Sequence, residues 1–141
     1  MLNGQLLIDF HVHLPQYAER TNSALEWFRS LCPSPEVYDA VSQTCADPAN
    51  FTAMLERKGV DYAVLLAEMT PSVSGVVSNE TIAAFCAQSG RLIPFCTFDP
   101  HRGGDLAAEL HRLAGMGFRG VKLYPTYNYF YPNDAALYPL Y

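Results

Sequence analysis

Four apolar runs recur along the chain, "GQLLIDFHVHL", "VDYAVLLAE", "RLIPFCTFDP" and "FRGVKLYP". Each is short and nearly continuous in hydrophobic residues, the pattern of a strand buried on both faces. Helical spacing fills the intervals. "TNSALEWFRSL" places Leu25, Phe28 and Leu31 on one face behind Thr21 or Asn22 as N-cap, and Pro33 and Pro35 stop it. "DPANFTAMLERKG" has Asp47 as cap, Pro48 in the first turn and Gly59 at the end. "SNETIAAFCAQSG" opens on Ser78 with Thr81 three residues on, half of a capping box, and Asn79 and Glu80 suit its first turn. "GGDLAAELHRLAGMG" sets Leu106, Leu110 and Leu113 on an apolar face, and "PNDAALYPLY" begins a helix at Asn133 or Asp134. "TPSVSG" and "YPTYNYFYPND" read as irregular, and Pro94 marks a bulge or irregular pairing in the third strand.

Strands separated by helices imply a parallel sheet with right-handed crossovers, either a small doubly wound sheet or part of a (β/α)₈ barrel. The 141 residues, half of them hydrophobic, suffice for one domain spanning 1–141. The net charge of −5 and the lack of a Lys/Arg cluster argue against a nucleic-acid partner. No apolar run is long enough for a membrane span, and "MLNGQLLIDF" lacks the basic start of a signal peptide. The four cysteines, 32, 45, 86 and 96, form no CxxC. They read as reduced thiols of a cytoplasmic protein, with Cys86 and Cys96 in the core.

Candidate chemistry concentrates where the strands end. His11 and His13 are two apart on the first strand and so share a face. They are either ligands that meet one ion at ~2.0–2.1 Å or strand-end histidines at a loop. The same alternation puts Leu7 and Asp9 inward and Ile8, Phe10 and Val12 against helices. On the fourth strand Gly120, Lys122 and Tyr124 point inward; an inward lysine is paired, for example with Asp9 or Glu68, or serves as a ligand or in catalysis. Glu68, Asp99 and His101 follow the second and third strands and would rim the same mouth, as catalytic groups or as loop and cap residues. His111, mid-helix beside Arg112, reads as solvated. Tyr124, Tyr127, Tyr129, Phe130 and Tyr131 make the last loop aromatic, fit to wall a substrate mouth or to cover an interface. GxSxG, GxGxxG and P-loop patterns are absent from the sequence, which removes support for serine-hydrolase and nucleotide readings.

"IDFHVHL", "NETIAAFC" with "RLIPFCTFDP", and "GFRGVKLYPTYNYFYPNDAALYPLY" together resemble the N-terminal half of the amidohydrolase 2, decarboxylase-like branch of the amidohydrolase superfamily. The resemblance implies a metal-dependent TIM barrel whose ligands are the HxH of strand 1, a histidine ending strand 5 and an aspartate ending strand 8, with a strand 6 histidine in some branches. Here it implies His11 and His13 as ligands of a divalent metal such as zinc, and a parallel half-barrel of strands 1–4. In dinuclear relatives a carboxylated lysine bridges two metals from the strand that carries Lys122. The implied activity is metal-dependent hydrolysis, or decarboxylation, of a small organic acid, amide or lactone. The alternatives are an inactive half-barrel from a split or truncated gene and an interaction module using the aromatic loop.

Two ligands imply weak zinc binding by an isolated monomer. Open first and fourth strands imply a homo-oligomer or a complementary half-barrel chain as partner. In a two-fold dimer, strand 4 would pair with the partner's strand 1 and bring His11 and His13 of both copies to one mouth. The final residues, Leu137, Leu140 and Tyr141 among them, are expected to fray or to order against a neighbour.

Overall fold

The structure is a computed structural model that describes residues 4–141; Met1–Asn3, on which part of the leaderless reading of the N-terminus rests, lie outside them. The four apolar runs become β1 (Ile8–Val12), β2 (Tyr62–Leu66), β5 (Leu92–Thr97) and β6 (Gly120–Lys122), parallel throughout in the order β1-β2-β5-β6. This is half of a TIM-type barrel, with β1 and β6 at its edges. Around it run α1 (Asn22–Ser30), α2 (Pro35–Cys45), α3 (Pro48–Lys58), α4 (Asn79–Cys86) and α5 (Leu106–Gly115).

The caps form as read. The side chains of Thr21, Asp47 and Ser78 accept from Ala24, Asn50 and Thr81 backbone N–H groups at 3.2, 2.8 and 3.1 Å. Gly59 ends α3 in the left-handed conformation at φ 71°, a backbone that costs an L-residue about 1–2 kcal/mol. Ala63, Leu65, Ala67, Leu92, Cys96 and Phe98 turn to the helices and meet Phe51, Leu55, Ile82, Phe85 and Leu113 in one buried core. Cys45, Cys86 and Cys96 are buried, Cys32 is half-buried, and all four are free thiols. Burial alone pushes Cys86 up to about 12, so it stays a thiol at neutral pH. His111 is exposed. No helix among the described residues is long and apolar enough to cross a membrane.

Four sequence expectations are corrected. Pro35 starts a helix: with Ser34 as cap it occupies the first turn of α2, where the missing N–H has no partner to lose. "TPSVSG" is irregular as read only over residues 71–74; its ends belong to a hairpin that the sequence reading missed, β3 (Glu68–Thr70) against β4 (Gly75–Val77). β4 is tied to the segment after β1 by reciprocal Ala18–Val76 bonds of 2.7 and 2.8 Å. The chain end is a 3-10 turn, Ala135–Leu140; in an α-helix the Pro139 ring would clash with the Ala135 carbonyl four residues back. Its Leu137 is fully buried within this chain, and Leu140 packs on the core.

The fourth correction concerns β1. Pro94 pairs regularly with Leu65, and the irregularity falls in β1, where Asp9 is level with Ala63 but Val12 with Leu65. The extra residue lets Phe10 and His11 both turn away from the helices. Phe10 therefore packs edge-on to Phe95, with ring centroids 5.4 Å apart, on the inner face. Ile8, level with Tyr62, joins it there, while Asp9 and Leu7 fall to the other side. Asp9 supports the bulge by accepting the His11 backbone N–H at 3.2 Å. The Phe95 ring lies where a Cβ on Gly120 would stand, 2.3 Å from its nearest atom; a glycine on β6 is what admits it.

Candidate functional site

The bulge precedes the histidines, so the two-residue repeat holds from His11 to His13 and both imidazoles leave β1 on the inner face. Their Nε2 atoms stand 3.1 Å apart. Behind them lies the carboxylate of Glu68, the first residue of β3, with only 2% of its surface exposed. Its Oε2 is 2.9 Å from His13 Nδ1 and accepts the Tyr17 hydroxyl at 2.9 Å. Its Oε1 accepts Thr70 Oγ1 at 2.7 Å and the hydroxyl of Ser74. The His13 contact is close but off the line of a hydrogen bond, since His13 Nδ1 has no aligned partner among the described residues. It is thus an electrostatic contact. Burial alone would raise the Glu68 carboxyl, but the His13, Ser74, Thr70 and Tyr17 side chains outweigh it and hold it down at about 2. Glu68 is therefore charged at neutral pH. Burial, then the charges of Lys122 and His13, lower the His11 pKa, which keeps that imidazole neutral and its nitrogen usable by a metal.

These groups open on a cleft of about 750 Å³, walled by Tyr17, Trp27 and Phe28 on one side and by Lys122, Tyr124 and Tyr127 on the other. Tyr17 is held from behind by the Arg20 guanidinium, 5.3 Å from its ring centroid. Tyr124 is buried, donates to the Ala67 carbonyl at 3.0 Å, and stacks on Tyr127 with centroids 6.2 Å apart. The carboxylate pairing expected for Lys122 does not form: its Nζ lies 5.2 Å from the Tyr124 centroid and makes no ion pair among the described residues.

Asp99 and His101 do not join the cleft. Asp99 accepts the His101 backbone N–H at 3.0 Å and caps a short 3-10 turn. His101 Nε2 donates to the Asn128 carbonyl at 2.8 Å, tying the loop after β6 to the one after β5. Conversely, Tyr17, Trp27, Phe28, Thr70 and Ser74 carry no local sequence signal for a site. They reach it through the loop after β1, through α1 and through the hairpin, and only Trp27, the one tryptophan of the sequence, could have attracted notice.

The donor set fits part of a metal site. Two nitrogens bound at about 2.0–2.1 Å to a tetrahedral ion stand about 3.3–3.4 Å apart, close to the 3.1 Å seen here. No cluster of three or more His, Cys, Asp or Glu side chains able to hold a metal exists among the described residues.

Known proteins supply a consistent frame. A TIM-barrel protein of uncharacterized function from Bordetella bronchiseptica superposes with a TM-score of 0.67 at 21% identity over 97% of this chain, which spans 50% of that protein's length. A probable 2-pyrone-4,6-dicarboxylic acid hydrolase from Acinetobacter baumannii, crystallised with citric acid, superposes with a TM-score of 0.48 at 18% identity over 83% of this chain and 37% of its own. No curated protein matches the chain. The family model described as "Amidohydrolase" matches residues 8–141, essentially the whole described chain from β1 onward, and the chain belongs to that family.

Proposed function

We propose that this chain contributes the first-strand half of a metal-dependent hydrolase site, with His11 and His13 as two ligands of a divalent cation such as zinc. The observation that carries the reading is the Nε2 pair, 3.1 Å apart at the cleft, in a member of the amidohydrolase family. When bound, the ion would activate water or polarise a carbonyl. The chain's own groups do the rest. His11 and His13 hold the ion. Lys122, with no carboxylate partner among the described residues, supplies positive charge beside His11. The aromatic walls exclude water and grip the apolar part of a small organic substrate.

The further ligands come with whatever completes the barrel. The open β1 and β6 edges suit four more β/α units, from a second copy or a complementary half-barrel chain. For the chain of 141 residues alone, zinc titration should show weak binding. Half of the roughly 10–16 kcal/mol of a full structural site corresponds to micromolar or weaker affinity. His11→Ala and His13→Ala should each abolish it; undiminished zinc in either variant would place the ion elsewhere. Light scattering on the same samples tests closure by a second copy, which a clean monomer at micromolar concentration rules out.

A further inference from the structure

The two nitrogens of His13 meet different surroundings. Nε2 faces the cleft beside His11, 3.1 Å away. Nδ1 is buried, and the charged atom within reach is Glu68 Oε2 at 2.9 Å. We infer that Glu68 is a positioning residue, whose carboxylate fixes His13 in the Nδ1–H form and so presents the Nε2 lone pair to the cleft. The inference deepens the function proposed above and rests on His13 acting through Nε2.

The argument is electrostatic and then geometric. A neutral imidazole carries its proton on one nitrogen, and which one is set by what the other meets. With the proton on Nε2, the unprotonated Nδ1 would lie 2.9 Å from a carboxylate oxygen with water excluded, and repulsion in such surroundings is strong. With the proton on Nδ1, the same contact is attractive even off the ideal line.

Glu68 cannot swing away to escape the choice. Its Oε1 is bonded by Thr70 and Ser74 and its Oε2 by Tyr17. A carboxylate offers about four acceptor sites, so three hydroxyl donors leave one, on Oε2, the oxygen 2.9 Å from His13 Nδ1. All three donors come from two segments that the Ala18–Val76 bridge holds together: the loop after β1, which carries Tyr17, and the β3–β4 hairpin. The hairpin thus brings a fixed negative charge behind the imidazole. A correlated state follows at His11. If His13 Nε2 is an acceptor, the 3.1 Å contact requires His11 Nε2 to donate, so the two histidines hold opposite tautomers until a ligand displaces that proton.

Long-range proton–nitrogen correlation NMR on ¹⁵N-labelled, metal-free protein reads this directly, at a pH about two units above the ordinary imidazole value of ~6.5. Free histidine side chains prefer Nε2–H, so a glutamate that only fills space would leave His13 in that form. The expected spectrum has His13 as Nδ1–H and His11 as Nε2–H. In Glu68→Gln, His13 should pass to Nε2–H or to a mixture. An Nε2–H His13 in the unaltered protein overturns the inference, as does an unchanged Nδ1–H signal in Glu68→Gln. Should that variant not fold, Glu68→Asp decides: drawing the carboxylate back from Nδ1 by one methylene should shift His13 toward Nε2–H, and an unchanged Nδ1–H signal there overturns the role given to Glu68. Because the readout needs no metal, it can fail while zinc binding through His11 and His13 stands, and the converse.

Discussion

Replacing Gly75 with alanine should cost about 2–5 kcal/mol and lower the melting temperature by about 3–4 °C per kcal/mol. Two effects add. Gly75 has φ 129°, in the region that L side chains rarely adopt. Its missing Cβ would also lie 2.9 Å from Arg20 Cα and 3.1 Å from the Ala18 carbonyl oxygen. Both are backbone atoms, so no rotamer change relieves the contact, and the Ala18–Val76 bridge must open instead. The internal control is Gly59→Ala, where φ is 71° and nothing lies within 4 Å of the new atom; only the conformational cost of about 1–2 kcal/mol remains. Equal losses in the two variants, measured by urea denaturation, would show that the close approach at Gly75 is not tight. Since β4 follows the turn that carries Ser74, Gly75→Ala should also loosen Glu68, and its effect should be visible at His13 while Gly59→Ala leaves that residue untouched.

Leu137→Ala should destabilise the protein by about 2–5 kcal/mol, the range for emptying a filled core position. From the sequence this region is expected to fray or to order only against a neighbour, because two turns of helix are marginal on their own. The structure instead shows Leu137 with no exposed surface, on a turn closed by Leu137 N–H to the Asp134 carbonyl at 2.9 Å. A frayed end would make the substitution nearly silent, within ±0.5 kcal/mol, so chemical denaturation separates the alternatives. The neighbouring Tyr138 and Tyr141, 62% and 74% exposed, serve as controls that should tolerate alanine.

The sequence by itself determined the parallel order of the four sheet strands, because short apolar runs and capped helices are written in local periodicity. Burial on both faces holds for β2 but not for the edge strand β1, whose Ile8 and Phe10 stay exposed. Thr21, Asp47 and Ser78 act through the backbone three residues on, a distance the sequence shows directly. His11 and His13 were legible for the same reason: side chains two apart on a strand share a face whatever the strand meets. The family likeness also pointed to a barrel, and four parallel strands agree with it.

The tertiary structure decided everything that depends on a partner far along the chain. The bulge that sends Phe10 inward arises from the register of β1 against β2, more than fifty residues on, and strict alternation within β1 misplaced Ile8, Phe10 and Asp9. Pro35 looked like a stop because a proline's effect depends on whether Ser34 is free to cap a new helix. Glu68, Asp99 and His101 looked equivalent at strand ends. Burial by the hairpin made the first a charged group behind His13, while hydrogen bonds to a turn and to the Asn128 carbonyl absorbed the other two. Charge state, burial and register are properties of neighbours brought together by folding, so local pattern does not contain them.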